Sequence, residues 1–288
     1  MKTFITGIHG QLGYDVDLEL RRRGYTDILA PTSSEVDITN KESVEKAILT
    51  YKPDIIVHCA AYTAVDKAED DMEKCYAVNV IGTKNITECA KKIGAKLIYI
   101  STDYVFDGTK DGYYQEDDKT NPINYYGKTK YLGEEAVRTY DNHIITRISW
   151  VFGINGNNFI KSMLRLSETR DTLNIVADQV GSPTYTVDLA RLLVDLALSD
   201  KKGTTYHVTN DGICSWYEFA KYIFESNKIK MTVNPITTSE YPTRAKRPSN
   251  SKMSKEKLIN DGFTMLPDWH DAVDRYNKEL IKVRKKEQ

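Results

Sequence analysis

Between residues 1 and 150 the chain alternates short apolar runs rich in β-branched residues with longer segments of helical period, and this alternation restricts the fold more than any other feature. "KTFITG", "DILAP", "DIIVHCAA", "KLIYIST" and "HIITRIS" read as strands. Helices are expected at "QLGYDVDLELRRRG", with Leu12, Val16 and Leu20 on one face and Gly24 closing the end, and at "TNKESVEKAILTYKP", stopped before Pro53. A long helix is expected across "DMEKCYAVNVIGTKNITECAKKIG" and another beginning near "NYYGKTK". Continuous apolar strands leave no polar face for water, so helices must cover both sides of a parallel sheet.

Beyond residue 150 the alternation weakens. A helix ("NFIKSMLRLSETR"), a strand ("LNIVA"), a helix ("TVDLARLLVDLALS") and a strand ("TTYHVTN") indicate a smaller part interleaved with the main sheet. The terminal "KVRKKEQ" reads as a frayed, solvated helix end.

"TGIHGQLG" places Gly7, Gly10 and Gly13 between the first strand and the first helix. Glycine spacing alone is a weak signal, because any tight strand-to-helix turn favours glycine. Its position at the start of a β-α-β series points instead to a dinucleotide, whose pyrophosphate needs close backbone approach and the free N–H groups of a helix start. The expected fold is therefore α/β, a Rossmann-type doubly wound parallel sheet with a smaller C-terminal domain. Residues 1–150 would form the dinucleotide-binding domain, with a return near 185–212, and 151–288 mainly the smaller part. The acid that normally reads an NAD ribose falls about 20 positions past the glycines. Here "APTSSEVD" puts Thr32, Ser33 and Ser34 there, and the first acids are Glu35 and Asp37. Hydroxyls do not repel a 2′-phosphate, which favours NADPH, although no arginine stands beside them and NADH remains open.

Composition removes several function classes. The 40 Lys and Arg balance 41 Asp and Glu, so a nucleic-acid partner is not expected. Cys59, Cys75, Cys89 and Cys214 form no CxxC pair, and the five histidines are scattered, which argues for a reduced cytoplasmic protein without a zinc site. The N-terminus shows no signal-peptide apolar region, and no segment is long and apolar enough to span a membrane.

Tyr126 and Lys130 in "NYYGKTK" are one helical turn apart, which puts both on one face. A cation there should lower the phenol pKa and make it a usable acid or base. The chain holds a second Tyr-x-x-x-Lys, Tyr217 and Lys221, for which a snorkelling surface pair is the simpler reading. The first copy follows "STD" (Ser101, Thr102, Asp103) at the end of an expected central strand, where open α/β sheets bind ligands.

These motifs together resemble the extended short-chain dehydrogenase/reductase superfamily. "AAYTAVDKAE", "NVIGT", "STDYVFDG", "YGKTKYLGE", "RISWVFG", "DQVGSPT" and "RPSNSKMS" are similar to the dTDP-4-dehydrorhamnose reductase family over nearly the whole chain. The resemblance implies NADPH-dependent reduction of the C4 ketone of a dTDP-linked 6-deoxy sugar to dTDP-L-rhamnose, with the C-terminal part binding the nucleotide-sugar substrate. Tyr126 would protonate the alkoxide, Lys130 would tune Tyr126 and hold the nicotinamide ribose, and Thr102 would hydrogen-bond the reacting oxygen. Cofactor contacts are implied at Gly7, Gly10, Gln11, Leu12, Gly13, Asp37, Ile38, Ala60, Ala61, Tyr62, Tyr126 and Lys130. Substrate contacts are implied at Thr102, Asp103, Val105, Phe106, Trp150 and Arg247, against the plainer readings of Trp150 as core and Arg247 as part of a solvated basic loop. Asn79 would fix backbone geometry in its helix.

Some relatives hold a magnesium ion between subunits. Asp15 suits the first ligand, but Val187 stands where a second acid is expected, so no metal is predicted and the assembly is read as monomer or homodimer. Competing readings are a nucleotide-sugar epimerase or dehydratase of the same superfamily, and a non-catalytic subunit resembling methionine adenosyltransferase β.

Overall fold

A computed structural model describes residues 1–286. The apolar runs of the first half form parallel strands joined by helices: β1 (Thr3–Thr6), α1 (Gln11–Arg22), β2 (Ile28–Leu29), α2 (Lys41–Tyr51) and β3 (Ile55–His58). Two short helices, α3 (Val65–Ala68) and α4 (Met72–Tyr76), a π-helical turn (Ala77–Gly82) and α5 (Thr83–Ile93) lead to β4 (Lys96–Thr102). Helix α6 (Tyr125–Arg138) then leads to β5 (His143–Ile148). The second half contains β6 (Val151–Phe152), α7 (Phe159–Ser167), β7 (Thr172–Val176), β8 (Val180–Gly181), β9 (Thr184–Tyr185), α8 (Thr186–Leu198) and β10 (Thr204–His207). It closes with β11 (Cys214–Ser215), α9 (Trp216–Ser226), β12 (Thr232–Ile236), α10 (Glu256–Asn260) and α11 (Trp269–Lys286).

The main sheet has six strands in the order β10-β5-β4-β3-β1-β2, all parallel. Every residue of β1, β3, β4 and β5 is buried, as a sheet covered on both faces requires. Side-chain alternation divides each strand between two cores. Ile5, Val57, Ile98, Ile100 and Ile144 pack with Leu12, Val16 and Leu20 of α1 and with Leu189, Leu193 and Leu196 of α8. Phe4, Ile56, Leu97, Tyr99 and Ile145 face the other way, against Val44 and Ile48 of α2, Ile86 and Ala90 of α5 and Val137 of α6. Each such fully buried aliphatic side chain contributes about 1.5–3 kcal/mol.

Helix ends follow local chemistry. Asn40 caps α2 by accepting the Ser43 N–H at 3.1 Å, and Lys52 ends it in a left-handed conformation (φ 51°) just before Pro53. Gly24 closes α1 with φ 84°, donating its N–H to the Arg21 carbonyl at 2.9 Å. The stretch from 71 to 94 differs from the single helix its periodicity predicts. A π turn interrupts it at Ala77–Gly82, where the Thr83 hydroxyl donates to the Asn79 carbonyl at 2.7 Å. Such turns commonly mark functional positions. "DILAP" yields only a two-residue edge strand, β2.

After β5 the chain builds small two-stranded pairs, β6 with β9, β8 with β11 and β7 with β12, around a separate core that includes Phe152, Ile160, Phe219, Ile223, Trp269 and Tyr276. Strand β10 rejoins the main sheet beside β5, and α8 covers the α1 face. Arg275 of α11 grips the buried Asp188 of α8 at 2.6 and 2.8 Å, which ties the two parts together. Helix α11 takes in most of the "KVRKKEQ" end, whose last two residues lie outside the described residues. No helix among the described residues is long and apolar enough to cross a membrane.

Candidate active site

The C-terminal ends of β1, β3, β4 and β5 open into a cleft of about 690 Å³. Its walls bring together Gly7, Gly10, Gln11, Leu12 and Gly13 of the first turn, Asp37 and Ile38 after β2, Ala60 and Ala61 after β3, and Thr102, Asp103, Tyr126, Lys130 and Trp150. Sequence positions from 6 to 216 therefore converge on one cavity, at the place where ligands enter sheets of this class.

The glycine turn is shaped by close approach. Gly7 sits at φ 74°, and a Cβ there would lie 2.8 Å from the Ala60 nitrogen; one at Gly13 would lie 2.3 Å from the Gly7 carbonyl oxygen. Gly10 starts α1 with no side-chain cap, so the helix N–H groups face the cleft without a side-chain competitor. The residues present thus fit a dinucleotide pyrophosphate: an uncapped helix start, a turn free of side chains, and small Ala60 and Ala61 opposite.

At the ribose end of the cleft, Thr32 and Ser33 line the wall. Glu35 is turned away onto the loop, accepting from the Thr32 N–H at 2.8 Å and its hydroxyl at 2.9 Å. Asp37 accepts from the Thr39 N–H and hydroxyl through one oxygen.

Thr102 ends β4, and Tyr126 lies in the first turn of α6, whose cap Asn124 accepts the Gly127 N–H at 2.7 Å. Gly127 is required there, because a Cβ would fall 2.1 Å from the Tyr104 carbonyl oxygen. Gly133 does the same one face further on, where a Cβ would meet the Tyr99 hydroxyl at 2.2 Å. These two contacts press α6 onto β4 and bury Lys130, whose ammonium stands 4.2 Å above the Tyr99 ring. Behind Lys130 lies a buried ion pair, Glu134 with Arg147 at 2.8 Å, joined by the Ser101 hydroxyl at 2.6 Å.

Burial reverses the charge state that helical spacing suggests. The Tyr126 phenol is raised above its ordinary range by desolvation and then by Asp103, against a Thr102 hydrogen bond. Lys130 is pushed down to about 7 by the same burial, with Glu134 opposing. The expected acidification of the phenol is therefore corrected: the loss of water around the phenolate dominates, and Asp103 adds to it.

Other expectations meet the structure unevenly. Val105 and Phe106 do not reach the cleft; they are fully buried and pack with Tyr114 and Met253, because the short helical turn after β4 points both inward. Tyr62 also lies off the cleft wall, with its phenol turned toward Asp71 at 3.4 Å. Asn79 fixes Tyr62 rather than its own helix, accepting the Tyr62 N–H at 2.8 Å and donating to its carbonyl at 3.2 Å. Arg247 lies outside the wall, held by Asp66 of α3 at 2.6 and 3.1 Å. Trp150 lines the cleft with φ 48°, stacked at 3.7 Å on Trp216, a wall residue that sequence reasoning missed. Nothing in "CSWYEF" distinguishes Trp216 from a core aromatic.

Gln11 turns its carboxamide away from the cofactor side, accepting from the Gly153 N–H at 2.9 Å and from Asn158 at 3.1 Å. Asn155, also missed, donates to the His9 carbonyl at 2.9 Å and so braces the glycine turn from the C-terminal part. Tyr217 and Lys221 stay on the surface of α9, the ammonium 5.4 Å above the ring and both away from the cleft. No group of three or more His, Cys, Asp or Glu side chains among the described residues is disposed to hold a metal ion. Asp15 is buried, which pushes its carboxyl up to about 6, and Val187 packs against the C-terminal core.

Known proteins share this geometry along its length. The family described as RmlD substrate binding domain matches residues 1–282. The dTDP-4-dehydrorhamnose reductase of Aggregatibacter actinomycetemcomitans is 43% identical over 285 residues, covering 94% of this chain and 97% of that protein. The Bacillus subtilis spore coat polysaccharide biosynthesis protein SpsK is 41% identical, covering 96% and 97%. A crystal structure of dTDP-4-dehydrorhamnose reductase from Bacillus anthracis in complex with NADP superposes with a TM-score of 0.93 at 42% identity, covering 97% and 100%. A Thermus thermophilus UDP-glucose 4-epimerase complexed with NAD, at 19% identity and a TM-score of 0.82, shares the fold alone. With a family match across nearly all of its length and relatives this similar, the chain belongs to the dTDP-4-dehydrorhamnose reductase family.

Proposed function

We propose that this protein reduces the C4 ketone of dTDP-4-dehydro-6-deoxy-L-mannose to dTDP-L-rhamnose with NADPH. The observation that carries the reading is the meeting of Thr102, Tyr126 and Lys130 with the glycine turn in one cleft, in a chain similar to such reductases from end to end. NADPH, when bound, supplies the hydride. Gly7 to Gly13 and the start of α1 would hold its pyrophosphate, and Thr32 and Ser33 would meet the 2′-phosphate, with the Glu35 carboxylate engaged by the Thr32 N–H and hydroxyl.

The chain's own residues manage the proton. Tyr126, with its phenol pKa raised by burial, stays protonated at neutral pH and has the proton to give to the ketone oxygen as negative charge develops there. Thr102 would supply a second hydrogen bond to that oxygen, and Lys130, one helical turn from Tyr126, would supply positive charge to stabilise the phenolate left behind. Trp150, fixed face to face on Trp216, forms the wall against which the sugar or base would lie. Arg247 would turn from Asp66 to the substrate pyrophosphate, whose two negative charges compete with one carboxylate for the guanidinium. We read the cytoplasm as the compartment, a reading the four free thiols support, and the assembly as monomer or homodimer.

The test is NADPH oxidation followed at 340 nm with dTDP-4-dehydro-6-deoxy-L-mannose, with identification of the sugar released. Stoichiometric NADPH loss and dTDP-L-rhamnose are expected. Interconversion of nucleotide sugars with tightly retained NAD and no NADPH consumption would replace the reading with that of an epimerase.

A further inference from the structure

Ser251 has no place in the chemistry above, yet it is one of the most firmly held side chains near the reacting atoms. It is 4% exposed, and its N–H donates to the Val180 carbonyl at 2.8 Å while the Val180 N–H donates to Ser249 at 2.9 Å. One step on, the Tyr114 N–H donates to the Lys252 carbonyl and the Ser254 N–H to the Tyr114 carbonyl, each at 2.8 Å. The 249–254 segment is thus pinned from two sides. Gly181 adds a third restraint: a Cβ there would lie 3.2 Å from the Ser251 Cβ, so the glycine makes the room that Ser251 occupies.

From that position the Ser251 hydroxyl donates to one oxygen of the Asp103 carboxylate. The other oxygen accepts the Thr102 hydroxyl at 2.9 Å, and Thr102 in turn accepts the Tyr104 N–H at 3.2 Å. A hydroxyl has one proton to give. While Thr102 gives it to Asp103, the ketone oxygen cannot have it, so turnover requires Thr102 to let go of a buried carboxylate. That release costs less if the carboxylate keeps its other side-chain donor beside the backbone N–H groups of Asp103 and Tyr104.

We infer that Ser251 is a positioning residue for the reduction: as a standing donor to Asp103, it frees the Thr102 hydroxyl to turn toward the substrate ketone. The inference deepens the reductase reading and rests on it. It assigns to the "RPSNS" segment a role in the chemical step that is separate from any contact made by Arg247.

The distinction is measurable because Ser251 acts only when Thr102 turns. In Ser251→Ala, kcat should fall about tenfold or more, while KM for the sugar and the NADPH Kd, read by quenching of intrinsic fluorescence, stay within about twofold. Ser251→Cys, close to serine in shape and a weaker donor, should fall between Ala and wild type and serves as the second variant if the alanine protein folds poorly. Wild-type turnover in either variant overturns the inference. So does a loss carried by KM or by the NADPH Kd, which a merely structural role would produce. Wild-type turnover on the keto sugar tests the reductase reading itself, whereas the variant-to-wild-type ratio of kcat tests Ser251, so the two failures are told apart.

Discussion

Replacing Glu134 with Gln should cost this protein more stability than its single-atom change suggests. Glu134 and Arg147 are 0% and 1% exposed, and the carboxylate meets the guanidinium through two contacts, 2.9 Å to Nε and 2.8 Å to Nη2. The Ser101 hydroxyl completes one oxygen at 2.6 Å, and Arg138 reaches the other at 3.0 Å. Glutamine keeps the shape but turns an N–H₂ group toward donors and leaves a buried cation unpaired, a defect that costs about 3–5 kcal/mol. In urea, with a slope near 3 kcal/mol per molar for a chain of this size, the midpoint should drop by about 1–1.7 M. Arg138→Ala is the comparison: Arg138 is 39% exposed, so its loss should cost about 1 kcal/mol or less.

The same pair predicts a pH signature. Burial acts to raise the Glu134 carboxyl, yet the hydrogen bond and charge of Arg147 outweigh it and hold the group below its ordinary value. A carboxyl depressed in the folded state stabilises fully above its unfolded pKa, and that contribution is lost as pH falls through the folded value. The gap between wild type and Glu134→Gln should be flat from about pH 5 upward and narrow in acid. A loss under about 1 kcal/mol at pH 7.5, or a gap that ignores acid, would refute the treatment of this pair as a buried, mutually required ion pair.

Tyr126→Phe keeps the ring packed edge-on to Tyr104 at 5.8 Å and removes the proton, so turnover should fall about 10²–10⁴-fold with NADPH Kd nearly unchanged, measured by single-turnover oxidation and fluorescence titration. Tyr217→Phe, on the outer face of α9, should leave both quantities at wild-type values in the same assays. Lys130→Met should abolish most turnover yet stabilise the fold in thermal melts at pH 6, by up to about 5 kcal/mol, because the folded protein must otherwise charge a lysine whose pKa is pushed down to about 7. That gain should shrink as pH rises from 7 toward 10.5, where the unfolded lysine also loses its charge, and a destabilised Lys130→Met at pH 6 would contradict it.

The parallel sheet was legible because its signal is repeated: four strands, buried at every position, are each built around a short apolar run that helices on both faces must cover. The glycine turn was legible because backbone crowding admits no substitute at Gly7 or Gly13. The interruption in the helix from 71 to 94 was not, since its π turn carries Asn79, whose side chain bonds the Tyr62 backbone 17 residues earlier, a contact no local pattern marks. Val105 and Phe106 were misplaced for a related reason. A motif whose Thr102 and Asp103 line the cleft continues straight into a turn that faces the core, and adjacency in sequence does not carry adjacency to the cleft. Trp216, Asn155 and Ser251 reach the site only through tertiary packing of the second half, where periodicity is weak and no local pattern marks them.

The charge states of Tyr126 and Lys130 show why spacing by itself misleads about chemistry. An i, i+4 phenol and ammonium in water would favour the phenolate, which suits a base. In the folded protein Gly127 and Gly133 let the helix pack so closely that both groups lose their water, and desolvation is the largest influence on each. The result is a protonated phenol one helical turn from a lysine poised near neutrality, the arrangement a reduction needs, because the proton must be on the phenol before the hydride arrives. In the proposed reaction the lysine would matter most after transfer, when a phenolate forms in an apolar site and a group able to take up positive charge lies one helical turn away.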